Sequence, residues 1–98
     1  MTKIIHKFVL PIHDIYSKVT EVEMPKGAKI LSCALDKSMF GSKVVWIWAL
    51  VNPSKENKKR VFHVVTTDVH IVDYDKSSYE YVGTVGDNYH YHIFEATE

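Results

Sequence analysis

Six histidines in 98 residues prompt a search for metal or acid–base chemistry. His90 and His92 stand two apart in the run YHYHIF, residues 89–94. An extended chain would carry both on one face with Phe94, and Tyr89, Tyr91 and Ile93 on the other. Two imidazoles on one face can reach one ion. A catalytic zinc site needs a third protein ligand and an open position, and His63 or His70 are the candidates. The pattern stops there, because the chain has no HExxH, no paired cysteines and no acidic cluster at ligand spacing. The run reads better as a half-exposed sheet face, and neither a metal nor any other cofactor is expected.

Two further stretches carry chemistry. In Lys55-Glu56-Asn57-Lys58-Lys59-Arg60, the three consecutive cations can meet phosphates, Arg60 through a bidentate fork and the lysines as mobile point charges. The plainer reading is a solvated hairpin loop, with Arg60 at the strand entry as the better pocket residue. Thr66-Thr67-Asp68-Val69-His70 gathers two hydroxyls, a carboxylate and an imidazole at a strand end, where binding groups concentrate. Polar contact with a ligand fits this stretch better than catalysis. No Gly-rich phosphate loop, GxSxG or CxxC is present, and the chain is not expected to be an enzyme.

The elements that must position these groups are short β runs: 3–10, 20–24, 29–35, 43–51, 60–71, 79–85 and 89–96. Gly, Pro, Asn, Asp or Ser stands in each break, supplying turn dihedrals or local side-chain bonds. Their spacing predicts a single all-β domain over residues 1–98, a sandwich or barrel of six or seven mostly antiparallel strands. Helical spacing appears only between Ile12 and Val22, where Ile12, Ile15, Tyr16 and Val19 fit i, i+3, i+4, i+7, enough for at most one short helix or an irregular loop. VVWIWALV, residues 44–51, is apolar on both faces and reads as a strand buried on both sides.

Composition narrows the functional classes. Formal net charge is zero, with 12 basic and 12 acidic residues, which argues against a duplex DNA binder. Cys33 is the only cysteine, so no intrachain disulfide can form and a reducing compartment is expected. Lys3, His6 and Lys7 interrupt the apolar residues at the start, so no signal-type hydrophobic run is read there. No segment has the ~20 consecutive apolar residues of a membrane span. A domain this small has a modest core, and a homo-oligomer, dimer or tetramer, would bury more.

IHKFVLP (5–11), MPKGAKIL (24–31), WALVNP (48–53), YVGTV (81–85) and HIFE (92–95) together resemble a family of small proteins of tailed phages and prophages labelled as a domain of unknown function. The resemblance runs nearly the whole chain. Where that family carries a Gly-Thr-Gly-His-like segment, this chain has Thr66 to His70 and neither glycine. Small phage proteins of this kind act against host defences, and the resemblance implies an anti-CBASS-type sponge. Such a protein sequesters a cyclic oligonucleotide signal such as 3′,3′-cGAMP in the host cytoplasm without cleaving it. On that reading Tyr89, Tyr91 and Trp48 are stacking candidates. Lys43 and Arg60 are the phosphate partners, and Thr66, Thr67 and His70 are polar contacts. The alternative is a protein that inhibits a host protein by binding it directly through a sheet edge or apolar patch.

Overall fold

A computed structural model describes residues 2–12, 17–37, 43–71, 74, 78–86 and 88–97. The strands, in chain order, are β1 (Ile4–Pro11), β2 (Ser17–Pro25), β3 (Lys29–Lys37), β4 (Lys43–Val51), β5 (Asn57–Thr66), β6 (Ser78–Gly86) and β7 (His90–Thr97). All their pairings are antiparallel. They form a three-stranded sheet in the order β1-β4-β3 and a four-stranded sheet in the order β2-β5-β7-β6. β1 lies over β2 and β3 over β6, so the sheets stack as a sandwich.

Alternation along each strand decides what is buried. On β4, Val45, Ile47, Ala49 and Val51 are at most 2% exposed and face the second sheet. There they meet Phe62, Val64, Met24 and Ile93, which close one shared core. Each large apolar side chain so buried contributes about 1.5–3 kcal/mol. The other face of β4 is not sealed as its composition predicts. Val44 is buried, but Trp46, Trp48 and Leu50 are only half-buried, and the Lys7 ammonium lies 4.0 Å from the Trp46 ring centroid.

Two local expectations also change. The helical spacing after Ile12 produces no helix in the described part of that stretch. β2 is extended from Ser17, Ile12 points into the core and Val19 is 53% exposed, so the supposed stripe is split between two environments. Ile15 and Tyr16 lie outside the described residues. β5 starts at Asn57 rather than Arg60 and ends at Thr66 rather than Ile71. Lys58 and Lys59 therefore sit in a ladder opposite Met24 and Glu23, not at a loop tip.

β3 and β6 each carry a register shift, between Ile30 and Ser32 and between Tyr81 and Gly83. An extra residue reverses the facing of everything after it. Gly83 is thereby turned toward β3, where a Cβ would stand 2.7 Å from the Cys33 Sγ. The expected outcome is that Gly83→Ala costs roughly 1–3 kcal/mol through overpacking. Adding Cys33→Ala should restore most of that loss. Urea unfolding of the two single variants and the double variant measures this, and simple additivity would remove the contact from the account.

Candidate functional site

At one end of the sandwich, the β2–β3 connection folds over the ends of β5 and β7. Gly27 has φ +83°, a conformation glycine adopts without Cβ strain. The Lys26 N–H donates to the Glu56 carbonyl and the Ala28 N–H to the Pro25 carbonyl, at 2.8 and 3.1 Å. These bonds hold the Ala28 carbonyl over Arg60. The guanidinium forks onto Glu95, Nε to Oε2 at 2.5 Å and Nη2 to Oε1 at 2.7 Å, while Nη1 donates to the Ala28 carbonyl at 2.5 Å. The side chains of this pair are only 20% and 10% exposed. Glu80 lies directly opposite Glu95 across the β6–β7 ladder, a like-charge placement that Arg60 offsets.

Around this pair opens a cleft of about 690 Å³, lined by Lys26, Lys58, Lys59 and the Arg60–Glu95 pair. A second cleft of about 350 Å³ shares Ala28, Arg60, Glu80 and Glu95 with it and adds Lys29 and Tyr81. The two clefts collect five basic side chains against two carboxylates, in a chain of zero net charge. One carboxylate is committed to Arg60, and Lys59 lies 3.6 Å from Glu21. Lys26, Lys29 and Lys58 are exposed. Clefts lined by one sign of charge focus field onto an incoming anion.

The opposite end holds a smaller cleft of about 450 Å³, lined by Leu35, Asp36, Lys37, Lys43, Asn88 and Tyr89. The Lys43 ammonium is 5.7 Å from the Tyr89 ring centroid and 5.9 Å from that of Tyr91, both within cation–π reach.

The eight candidate residues therefore do not share one pocket. Arg60 lines the large cleft but is already bonded through all three guanidinium nitrogens. It is six residues from Thr66 on β5, about 20 Å of extended chain. Lys43 and Tyr89 meet at the far end. Tyr91 is a correction: it is 7% exposed and belongs to the core, so its ring faces are not open for stacking. Thr66 pairs with Tyr91 across the β5–β7 ladder. The Thr67 hydroxyl bonds the His92 Nε2 at 2.8 Å. Trp48 stands on the outer face of the three-stranded sheet, and His70 is exposed beyond the end of β5.

Sequence reasoning missed Lys26, Lys29, Glu80 and Glu95. A cross-strand pair separated by 35 positions has no local signal; the one available hint was a glutamate alternating in phase with the core residues Tyr91 and Ile93.

The outer face of the four-stranded sheet carries a group of histidine and aromatic side chains. Tyr74 stacks on Tyr79 at 5.4 Å, and Phe94 meets Tyr81 edge-on at 5.6 Å. His63 packs edge-on against Tyr79 at 4.9 Å. The His92 Nδ1 shares a 2.9 Å bond with the Thr84 hydroxyl, which in turn bonds the Tyr81 hydroxyl at 2.6 Å. Both ring nitrogens of His92 are thus occupied by hydroxyls. Among the described residues, no three His, Cys, Asp or Glu side chains gather to hold a metal ion.

The description "domain of unknown function (DUF7352)" matches residues 1–98. The chain belongs to the DUF7352 family. No curated protein and no solved structure matches this DUF7352 chain.

Two outcomes follow from this geometry. Glu95→Gln leaves the buried Arg60 charge without its counterion, and the expected loss is roughly 3 kcal/mol. The pair Arg60→Met with Glu95→Leu should stay near wild-type stability, because an apolar replacement removes both desolvated charges. Thermal and urea unfolding check both. Burial also pushes the His63 pKa below its ordinary 6.5. Between that lowered value and 6.5 the unfolded chain binds more protons, so stability must fall as pH drops through the window. His63→Phe, which keeps the packing on Tyr79, should flatten this part of the profile in urea midpoints compared at about pH 7.5 and about pH 5.

Proposed function

We propose that this DUF7352 protein is a non-catalytic binder that sequesters a cyclic oligonucleotide signal of the 3′,3′-cGAMP type. The observation that carries the reading is the excess of basic side chains around the double cleft at the Arg60 end. Its larger part, about 690 Å³, falls within the range of small-molecule sites. A cyclic dinucleotide presents two phosphates and two flat bases. Lys26, Lys29 and Lys58 are placed to meet phosphate oxygens. The Arg60 fork, held by Glu95, keeps two N–H donors beyond its three bonds. Tyr81 borders the second cleft, but its ring lies on the outer face of the sheet against Phe94, so the reading rests on phosphate contacts rather than on base stacking. Tight binding without turnover is all that sequestration requires. The resemblance to tailed-phage proteins supplies the setting, the cytoplasm of an infected bacterium, with the ligand being the host's alarm signal.

The second reading, direct inhibition of a host protein, is favoured by the exposed aromatic group on the outer face of the four-stranded sheet, where Tyr74 and Tyr81 are 47% and 59% exposed. Aromatic side chains are enriched at protein interfaces.

Thermal unfolding against a panel of cyclic di- and trinucleotides tests the proposal. A ligand at 100 times its Kd adds about 2.7 kcal/mol, which for a domain this size raises Tm by roughly 10 °C or more. Lys26→Glu with Lys58→Glu should abolish the shift, whereas Tyr89→Ala should leave it intact. Recovery of the intact compound after boiling distinguishes sequestration from cleavage. A flat panel overturns the nucleotide reading and turns attention to host proteins.

A further inference from the structure

The β1 edge of the three-stranded sheet is open, and its hydrogen-bonding phase can be read. The Ile12 N–H donates to the Lys43 carbonyl at 3.3 Å. This bond continues the unbroken register from Ile4↔Val51 to Pro11↔Val44. In an antiparallel ladder, successive residues direct their N–H and C=O groups to alternate sides. Ile4, His6, Phe8 and Leu10 therefore spend theirs on β4. Ile5, Lys7 and Val9, and Pro11 through its carbonyl, turn theirs outward. No described strand pairs on that side.

The other three edges are guarded by devices that discourage pairing. β3 and β6 are broken by their bulges. β2 displays the exposed carboxylates of Glu21 and Glu23 and ends at Pro25. β1 combines eight residues of continuous register with three exposed apolar side chains, Ile4 at 46%, Ile5 at 61% and Val9 at 42%, where the equally regular β2 exposes Val19 ahead of its carboxylates.

We propose that β1 pairs antiparallel with β1 of a second copy of this chain, around a two-fold axis at Phe8, giving a continuous six-stranded sheet. The inference is independent of the ligand reading. The centre must be a residue, because paired residues have to keep the same faces of the joined sheet. Centring on Lys7 sets that ammonium opposite its own copy, which is unfavourable. Centring on His6 carries Val9 past the start of the partner strand. Centring on Phe8 places Lys7 opposite the partner's Val9 and Ile5 opposite the partner's Pro11. The missing proline N–H then falls at the end of the ladder. Phe8, half-buried, meets the partner's Phe8 across the axis. The contact is self-complementary, as a two-fold interface must be, and zero net charge sets no long-range repulsion against it.

Sedimentation of the full chain over a concentration series, with Val9→Lys and Val9→Glu, tests the proposal. Wild type should sediment at twice the chain mass. Val9→Lys faces the partner's Lys7 twice and should lose the dimer. Val9→Glu faces the same ammonium with opposite charge and should keep it, with dissociation favoured by added salt. The two variants put a charge at the same exposed position, so each serves as the folding control for the other by circular dichroism. A wild-type monomer up to millimolar concentration overturns the proposal. Equal behaviour of the two variants overturns the register and with it the Phe8 axis.

Discussion

The fork between Arg60 and Glu95 ties together, through side chains, three parts of the chain that the β2-β5-β7 ladder brings to one end of the sandwich. β5 supplies the cation, β7 the anion, and the β2–β3 connection the carbonyl that caps them. That connection also passes from the four-stranded sheet to the three-stranded one. Burying two charges costs desolvation that their attraction only about repays, so the pair is a weak source of net stability. Its effect lies in the alternatives it excludes. A one-residue slip of β7 would send Glu95 to the outer face and leave the guanidinium buried alone. It would also bring His92 and Phe94 inward in place of Tyr91 and Ile93. A buried polar contact with fixed geometry penalises such a slip more sharply than apolar packing does. The same fork presents the cleft's strongest cation in a fixed orientation, while the neighbouring lysines stay in water.

The seven strands were legible because the apolar residues alternate and turn-formers separate the runs. Both pieces of information are local. The division of YHYHIF into two faces was legible for the same reason, and the structure keeps Tyr91 and Ile93 together on one side. Which side meets the core was not legible. That depends on what the opposing sheet offers, and β4 contributes Ile47 and Val45 to the same buried cluster as Ile93 and Tyr91. The start of β5 was misplaced because Lys58 and Lys59 read as solvent-seeking. Both do remain in solvent, but a ladder with β2 asks only for their backbone. The bulge at Leu31 carries no composition signal, whereas the one at Val82 stands beside Gly83, an in-strand glycine of the kind that often marks a bulge.

The candidate site was legible in part. Arg60 was identified as the pocket cation of its run, and it does line the cleft of about 690 Å³. Its neighbours there from outside β5 come from the end of β2, the β2–β3 connection, β6 and β7, and only folding brings them together. Trp48 and Tyr91 illustrate the opposite failure, since an aromatic side chain looks the same in sequence whether it is packed or offered to a ligand. The Trp face of β4 stays half-open, and the Tyr91 ring is closed beneath the core.

The contact between Gly83 and Cys33 gives the molecule an intrinsic probe. Burial pushes the Cys33 thiol above its ordinary pKa of 9.0, so the reactive thiolate is scarcer than in a free cysteine. The sulfur also sits in the seam between two bulged edge strands. When β3 lifts from β6, the sulfur gains both water and access at once. The rate at which a small alkylating reagent labels this single thiol therefore measures how often that seam opens. It is a native-state breathing clock that needs no engineered label.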